Sequence, residues 1–253
     1  REARRRTRLR SQRVIRVEDN AAVRTITLDR PDKRNALTAQ MLADLAAAFE
    51  TEDSVCAVAC IGSGKSFCSG FDLKSHPPTD DHTTLCAQLD GLSRAIVTMR
   101  ACPAPIVMGV HGAAVAGGAA LLGGADVVVC APNAKIGYPV VRLGISPAVS
   151  APFLTGAVGG RARGVTLDAT LIDGVRAHEL GLVHELADDP IARAVELARS
   201  IADKPGEGAV RTKRWMHDVE GLTDAAVRAG LDASLGSLGS DTVRRIQREV
   251  FQK

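Results

Sequence analysis

With 253 residues, 45% of them hydrophobic and 24% charged, the chain is an ordinary globular sequence, long enough for one α/β domain with a modest helical appendage. A net charge of only +3 and an aromatic content of 3% argue against nucleic-acid binding through base-stacking platforms. No apolar run reaches the roughly 18 residues of a membrane span, and no secretory pattern is present, so a cytoplasmic protein with neither a membrane nor a nucleic-acid partner is expected.

Residues 1–13 carry Arg1, Arg4, Arg5, Arg6, Arg8, Arg10 and Arg13 without apolar periodicity. They read as a basic, disordered extension, with a phosphate-binding arm or a targeting segment as alternatives. Val14–Val17 and Val23–Leu28 are strand-like, and the turn-rich Glu18-Asp19-Asn20 between them predicts a hairpin. Pro31 then ends the second strand. Thr38 caps a helix whose Met41, Leu42, Leu45, Ala48 and Phe49 share one face. Val55–Ile61 reads as a strand buried on both faces, followed by a loop at Gly62–Ser66. A second loop spans Ser75–Thr83, and a helix runs from about Leu85 to Met99. Ile106–Val110 is another buried strand, leading into a small-residue loop at Gly112–Gly118, an apolar helix from near Gly118, and a strand at Asp126–Cys130. This alternation predicts an α/β core over 14–188. From Asp189 the pattern is helical to the end, interrupted at Lys204-Pro205-Gly206, which gives a helical region over 189–253.

Several chemical signatures are incomplete. Gly62-Ser63-Gly64-Lys65-Ser66 resembles a phosphate-binding loop, but the glycine that the pattern needs five residues before Gly64 is Ala59. His178 and His184 are six apart rather than four, so they cannot share the face of a zinc-binding helix, and no metal is expected. His76, His82, His111 and His217 also lack ligand spacing. There is no Gly-x-Ser-x-Gly elbow. The six cysteines, Cys56, Cys60, Cys68, Cys86, Cys102 and Cys130, form no C-x-x-C pair and read as reduced thiols.

Two loops together carry the functional argument: Phe67-Cys68-Ser69-Gly70-Phe71-Asp72-Leu73, and His111-Gly112 through Gly117-Gly118-Ala119-Ala120. Each places small residues where backbone N–H groups can be free to meet negative charge. The ordered set Arg30-Pro31-x-x-x-Asn35-Ala36-Leu37, Ser69-Gly70-x-Asp72-Leu73, His111-Gly112 through Gly117-Gly118, Ala125-Asp126 and Gly181-Leu182-Val183 resembles the crotonase superfamily, the enoyl-CoA hydratases and isomerases. The resemblance runs from Val14 to the C-terminus. It implies a spiral of ββα turns with a C-terminal helical trimerisation region at 189–253, assembled as a homotrimer or homohexamer. It also implies an acyl-CoA thioester ligand, with coenzyme A part of the substrate and no separate cofactor. On that resemblance, the N–H groups of Phe71 and Gly117 form the oxyanion hole. Lys33, Arg34 and Ala36 lie where the family holds the adenine and pantetheine end, and Ser69, Gly70, Asp72 and Leu73 lie on the first loop around the same ligand. The Phe71 ring either packs against the acyl group or fills core.

The sequence departs from the family where proton transfer is expected. Hydratases carry glutamates at the positions that are Ala120 and Val140 here, and neither residue moves a proton. The expected activity is therefore that of an enoyl-CoA hydratase/isomerase-like protein in which ordinary hydration is impaired, or of a non-catalytic acyl-CoA-binding protein. Tyr138 is the first candidate to substitute, ahead of Arg142, Ser146 and the loop residues His76, Asp80, Asp81 and His82. Asp72, despite its place on the ligand loop, and Asp126 have the look of structural carboxylates bonded to backbone N–H groups.

Overall fold

The computed structural model describes residues 14–74 and 82–251. Strand β1 (Ile15–Asn20) pairs antiparallel with β2 (Val23–Leu28) as expected, but Glu18-Asp19-Asn20 belong to β1 and the turn is Ala21-Ala22. Asp19 faces Arg24 across the hairpin, with a 2.8 Å bond from Arg24 Nε, and this pair holds the polar residues in the ladder. A 3₁₀ turn at Pro31–Lys33 follows. Helix α1 (Ala39–Ala48) starts at Thr38, whose hydroxyl accepts from Met41 N at 3.1 Å, and it buries Met41, Leu42, Leu45 and Ala48.

Strand β3 (Ala57–Gly62) leads to α2 (Thr83–Ala101). The next turn of chain is β4 (Ile106–Val110), β5 (Ala113–Val115) and the short α3 (Gly117–Ala120). The predicted small-residue loop at Gly112–Gly118 thus contains a strand, because its backbone pairs with neighbours although its side chains carry no alternation. Then come β6 (Val127–Cys130), β7 (Lys135–Gly137), α4 (Ala151–Val158), α5 (Ala162–Leu167), β8 (Ile172–Asp173), α6 (Gly174–Leu180) and β9 (Glu185–Leu186).

One sheet has the order β1-β2-β3-β4-β6-β9 and is parallel from β2 onward. A smaller sheet has the order β5-β7-β8 and is extended by single bridges from Cys68 to Ala114 and from Leu37 to Phe71. Each turn of chain therefore visits the large sheet, steps to the small one and returns through a helix. That repetition is the ββα spiral. The main core lies between the large sheet and helices α1 and α2, with Ile26, Leu28, Leu42, Leu45, Leu92 and Ile96 almost wholly buried.

Helix α7 (Pro190–Ala202) covers the opposite sheet face, where Ala194 and Ala198 meet Ala57, Ala59, Val107 and Val129. Small side chains on both sides allow this close approach. After the break at Lys204-Pro205 come α8 (Gly206–Glu220), α9 (Asp224–Ser237) and α10 (Asp241–Phe251). Lys213 ties α8 to the core. Its ammonium lies 2.9 Å from the Asp126 carboxylate and donates to the carbonyls of Met99 at 3.3 Å and Ala104 at 3.1 Å. Asp126 also accepts from Ile106 N at 2.7 Å, the structural role expected of it.

Replacing Lys213 by alanine leaves a largely buried carboxylate and two carbonyls without their cation. The expected loss is about 3–5 kcal/mol of unfolding free energy, measured by urea denaturation. An unchanged midpoint would show that α8 docks through its apolar contacts alone.

Candidate functional site

The site is assembled from three loops, and Asn35 fixes the first. This wholly buried residue has a left-handed backbone, φ 53°. Its Oδ1 accepts from Arg30 N at 2.8 Å, and its Nδ2 donates to the carbonyls of Ser63 and Ser66, each at 2.9 Å. The 30–37 loop is thereby clamped to the end of β3. Arg30 reaches inward, donates to Ala36 O at 3.0 Å, and lies 2.6 Å from the carboxylate of buried Asp72.

The second loop, 67–73, threads between neighbours on both sides. Cys68 donates to Ala113 O at 2.9 Å and accepts from Val115 N at 3.0 Å. Ser69 N donates to Arg34 O at 3.1 Å, Leu37 N to Gly70 O at 2.7 Å, and Asp72 N to Leu37 O at 2.9 Å. Backbone groups alternate sides along an extended segment. Because Gly70 O and Asp72 N face Leu37, the Phe71 N–H faces away from it, toward the end of β5. It donates to no acceptor among the described residues.

The third loop meets it there, backbone against backbone. A Cβ on Gly70, where φ is +92°, would lie 2.9 Å from Val115 O and 3.6 Å from Gly117 N. A Cβ on Gly118 would lie 2.5 Å from Cys68 O, so only glycine permits this approach. Between them Ala116 adopts φ 53°, ψ −115°, a conformation disfavoured for a residue with a Cβ and worth roughly 1–3 kcal/mol of strain. Its N–H is held by Gly137 O at 2.8 Å. The ψ of Ala116 sets the plane of the following peptide, and the Gly117 N–H likewise meets no acceptor among the described residues.

Both unpaired amides belong to residues lining one cavity of about 360 Å³. Of the residues singled out in the sequence, Ser69, Phe71, Leu73, Gly117, Ala120, Tyr138, Val140, Arg142 and Ser146 line it. Lys33 and Arg34 are exposed on the outer side of the first loop, and Ala36, Gly70 and Asp72 form its framework rather than its wall. The Phe71 ring is half-buried and faces the cavity, its Cε1 3.2 Å from where a Cβ on Gly117 would stand. His82, also a candidate, is buried at the start of α2, and neither ring nitrogen meets a hydrogen-bond partner among the described residues. His76, Asp80 and Asp81 lie outside the described residues, as do the arginines of 1–13.

Sequence reasoning missed Leu85, Leu89 and Leu92 of α2 and Ile145 and Val149 as cavity wall. The leucines carry ordinary helical spacing, which marks a buried face without distinguishing core from cavity.

Among the described residues, no carboxylate or imidazole belongs to the cavity wall. Its floor is Tyr138, whose phenol shares a hydrogen bond with Ser150. Burial pushes the phenol well above the usual tyrosine range, and the Ser150 bond opposes the shift only in part. Ser150 in turn donates to Pro147 O at 2.9 Å. Ala120, Tyr138 and Ser150 also line a second, smaller cavity of about 140 Å³, whose far side carries Arg100, Asp126, His184, His217 and Glu220. Burial lowers the pKa of both histidines, helped at His217 by Arg100. His184 Nδ1 accepts from Val128 N at 3.0 Å, and His178 Nδ1 bonds Val183 O at 2.9 Å. Among the described residues, no group of histidine, cysteine or carboxylate side chains has the arrangement of a metal site. Ser63 N is committed to Leu28 O at 2.9 Å, which further weakens the phosphate-loop reading of 62–66.

The family model described as enoyl-CoA hydratase/isomerase matches residues 18–244. The chain belongs to the enoyl-CoA hydratase/isomerase family. It is thus a member of the crotonase superfamily, as its loops suggested. A 1,2-epoxyphenylacetyl-CoA isomerase from Escherichia coli is 32% identical over 175 residues, which cover 66% of this chain and 67% of that protein. The structure of an enoyl-CoA hydratase/isomerase from Mycobacterium paratuberculosis matches with a TM-score of 0.82 at 28% identity, over 93% of this chain and 98% of the other. A further enoyl-CoA hydratase/isomerase, from Xanthobacter autotrophicus Py2, matches with a TM-score of 0.82 at 27% identity, over 94% of each chain.

In this crotonase-fold chain, Asn35→Ala removes three hydrogen bonds at once, one fully buried and two partly so, and leaves Arg30 N and the Ser63 and Ser66 carbonyls without their partner. A loss of roughly 2–5 kcal/mol in thermal or urea unfolding is expected. Hydrogen exchange should show its largest increase at 30–37 and 63–72; an increase spread evenly over the sheet would contradict the clamp.

Proposed function

We propose that this protein binds an acyl-CoA with the thioester oxygen between the N–H groups of Phe71 and Gly117, and that it stabilises the enolate-like charge there without ordinary hydration. The observation that carries this reading is the pair of amides, both without an acceptor among the described residues, on two loops held in backbone contact beside one apolar cavity. One such donor is typically worth about 10²–10³ in rate, because it is fixed before charge develops. The surrounding apolar wall strengthens both dipoles by excluding water. Family membership supports a coenzyme A thioester as the ligand. On this reading Lys33, Arg34 and Ala36 take the nucleotide and pantetheine end, while Ser69, Gly70, Asp72 and Leu73 shape the loop around the thioester. Coenzyme A enters as part of the substrate, with no separate cofactor.

Proton handling is where this chain differs. Ala120 and Val140 occupy the positions of the hydratase glutamates. With no carboxylate or imidazole in the wall among the described residues, its ionisable groups are buried Tyr138 and exposed Arg142. The raised pKa of Tyr138 keeps the phenol neutral, which suits a hydrogen-bond donor and neither a general acid nor a base near neutral pH. That same scarcity supports the second reading, a non-catalytic carrier or sensor of acyl-CoA. We further read the helical region 189–253 as the assembly face of a trimer or hexamer, since α8 leaves Trp215, Met216 and Val219 exposed together.

Calorimetry should detect acyl-CoA binding stronger than free coenzyme A, while crotonyl-CoA is hydrated far more slowly than by a two-glutamate hydratase. Hydration at ordinary rates would defeat the reading, and so would the absence of thioester binding. Gly117→Pro removes one donor and should abolish thioester binding; circular dichroism must show a retained fold for the result to count. Conversely, Ala120→Glu with Val140→Glu restores an acid and a base, and because Ala120 borders two cavities the larger side chain has room. Crotonyl-CoA hydration should rise by about 10²-fold or more in the double variant, and no gain would indicate that the missing carboxylates are not what limits hydration.

A further inference from the structure

We infer that Gln88 is a positioning residue for the thioester oxygen: its side-chain amide fixes Leu37, and Leu37 sets the direction of the Phe71 N–H and packs beneath Gly117. This rests on the acyl-CoA reading above and adds to it a residue that stands outside the cavity wall.

Leu37 is the point where both amides are held. It forms a single parallel bridge with Phe71. Leu37 N donates to Gly70 O at 2.7 Å, and Asp72 N donates to Leu37 O at 2.9 Å. In a planar trans peptide the C=O and N–H point in opposite directions. The bond to Gly70 O therefore aims the Phe71 N–H away from Leu37, and the bond from Asp72 N fixes the next peptide. The wholly buried Leu37 side chain reaches the other amide, with Cδ1 3.2 Å from where a Cβ on Gly117 would stand. A shift of Leu37 would turn one donor and loosen the packing under the other.

Helix α2 holds Leu37 from the opposite side. Gln88 Nε2 donates to Leu37 O at 3.1 Å. That carbonyl already accepts from Asp72 N, so it is satisfied without Gln88, whose bond fills its second lone pair. Yet Gln88 is only 1% exposed, and its Oε1 meets no hydrogen-bond partner among the described residues. Turning the amide over would set Oε1 against Leu37 O, so this orientation is fixed. A buried acceptor without a partner is destabilising. Methionine, of similar length and helix propensity, would fill the same place without it. Gln88 thus contributes direction to Leu37 at the expense of stability, and such local conflicts concentrate where structure serves a site. Its neighbour Leu89, with Leu85 and Leu92 about one turn away on either side, lines the cavity. One rigid helix therefore carries both the wall and the support of the donor.

The test compares wild type with Gln88→Met in the full chain. Calorimetry is run with free coenzyme A and with acetyl-, butyryl- and octanoyl-CoA, each isotope-labelled at the thioester carbonyl for infrared spectroscopy. In the wild type the bound carbonyl stretch should fall below that of the free ligand, because two fixed donors polarise it. In Gln88→Met most of that downshift should be lost, and the preference for acyl-CoA over free coenzyme A should fall about tenfold. Affinity for free coenzyme A should stay the same, and the urea midpoint should be unchanged or higher. A purely structural role would lower the midpoint and leave the carbonyl frequency alone. A full downshift with an unchanged preference, or a lower midpoint as the sole effect, would overturn this inference and leave the acyl-CoA reading standing. Gln88→Leu removes the same amide with a different shape and should behave alike; if neither variant folds, the bond serves stability and the inference is overturned. If the wild type binds no thioester more tightly than free coenzyme A, the acyl-CoA reading fails and this one with it.

Discussion

The carboxamide of Asn35 is the constraint on which the site depends. It is buried, it spans three backbone groups from two separate loops, and it holds its own backbone in a left-handed turn. Once it is in place, Arg34 O and the backbone of Leu37 present acceptors and a donor to the segment 69–72. That segment is then fixed from the other side by β5. The Phe71 N–H meets no acceptor among the described residues because its neighbours along the chain are bonded: the ladder takes Gly70 O and Asp72 N, and alternation turns the intervening amide outward. The open donor is thus a product of satisfied bonding around it, which keeps it rigid.

The second donor is obtained differently. Ala116 holds a conformation that a residue with a Cβ ordinarily avoids, and the strain is borne by the bond from its N–H to Gly137 O and by the close seating of Gly118 on Cys68. Strain concentrated at one residue beside an unpaired amide is the pattern expected where local structure serves binding. The two donors differ in origin, one from ladder alternation and one from a strained turn, yet both lie beside the same apolar space.

How far this was legible in the sequence depends on what each residue's signal consists of. The Thr38 cap, the apolar face of α1 and the strands β3, β4 and β6 follow from side-chain pattern, and the structure has them there. The hairpin turn was displaced to Ala21-Ala22 because the Asp19–Arg24 pair keeps polar residues in the ladder, an effect between strands that propensity along one strand does not contain. The loops 67–73 and 112–118 could be picked out by their small residues, but their pairing is made of backbone bonds that no side-chain pattern encodes; only the ordered resemblance to a family joined them. The cavity wall was the least legible part. Leu85, Leu89 and Leu92 look in sequence like any buried helical face, and whether such a face meets core or empty space is decided by what stands opposite.

What stands opposite is held by the C-terminal helices. The segment 139–150 supplies Tyr138's neighbours and half the cavity wall, and it has little regular structure of its own beyond short 3₁₀ turns. Helix α9 supplies the missing bonds. Ser234 accepts from Val149 N at 2.7 Å and donates to Ser146 O at 2.9 Å, while Ser237 accepts from Ser146 N at 3.1 Å. Val243 of α10 packs on Gly144, where an added Cβ would come within 2.7 Å of it. The cavity is therefore shaped as much by residues near 240 as by the loops 67–73 and 112–118, more than a hundred positions earlier. Because the buried Lys213–Asp126 pair anchors the preceding helix to the start of β4 and β6, the large sheet, whose strand β4 runs on into β5 and the Gly117 amide, also positions the helices that close the cavity. The placement of the two amides and the shape of the cavity are thus coupled through the large sheet, as parts of one packed unit.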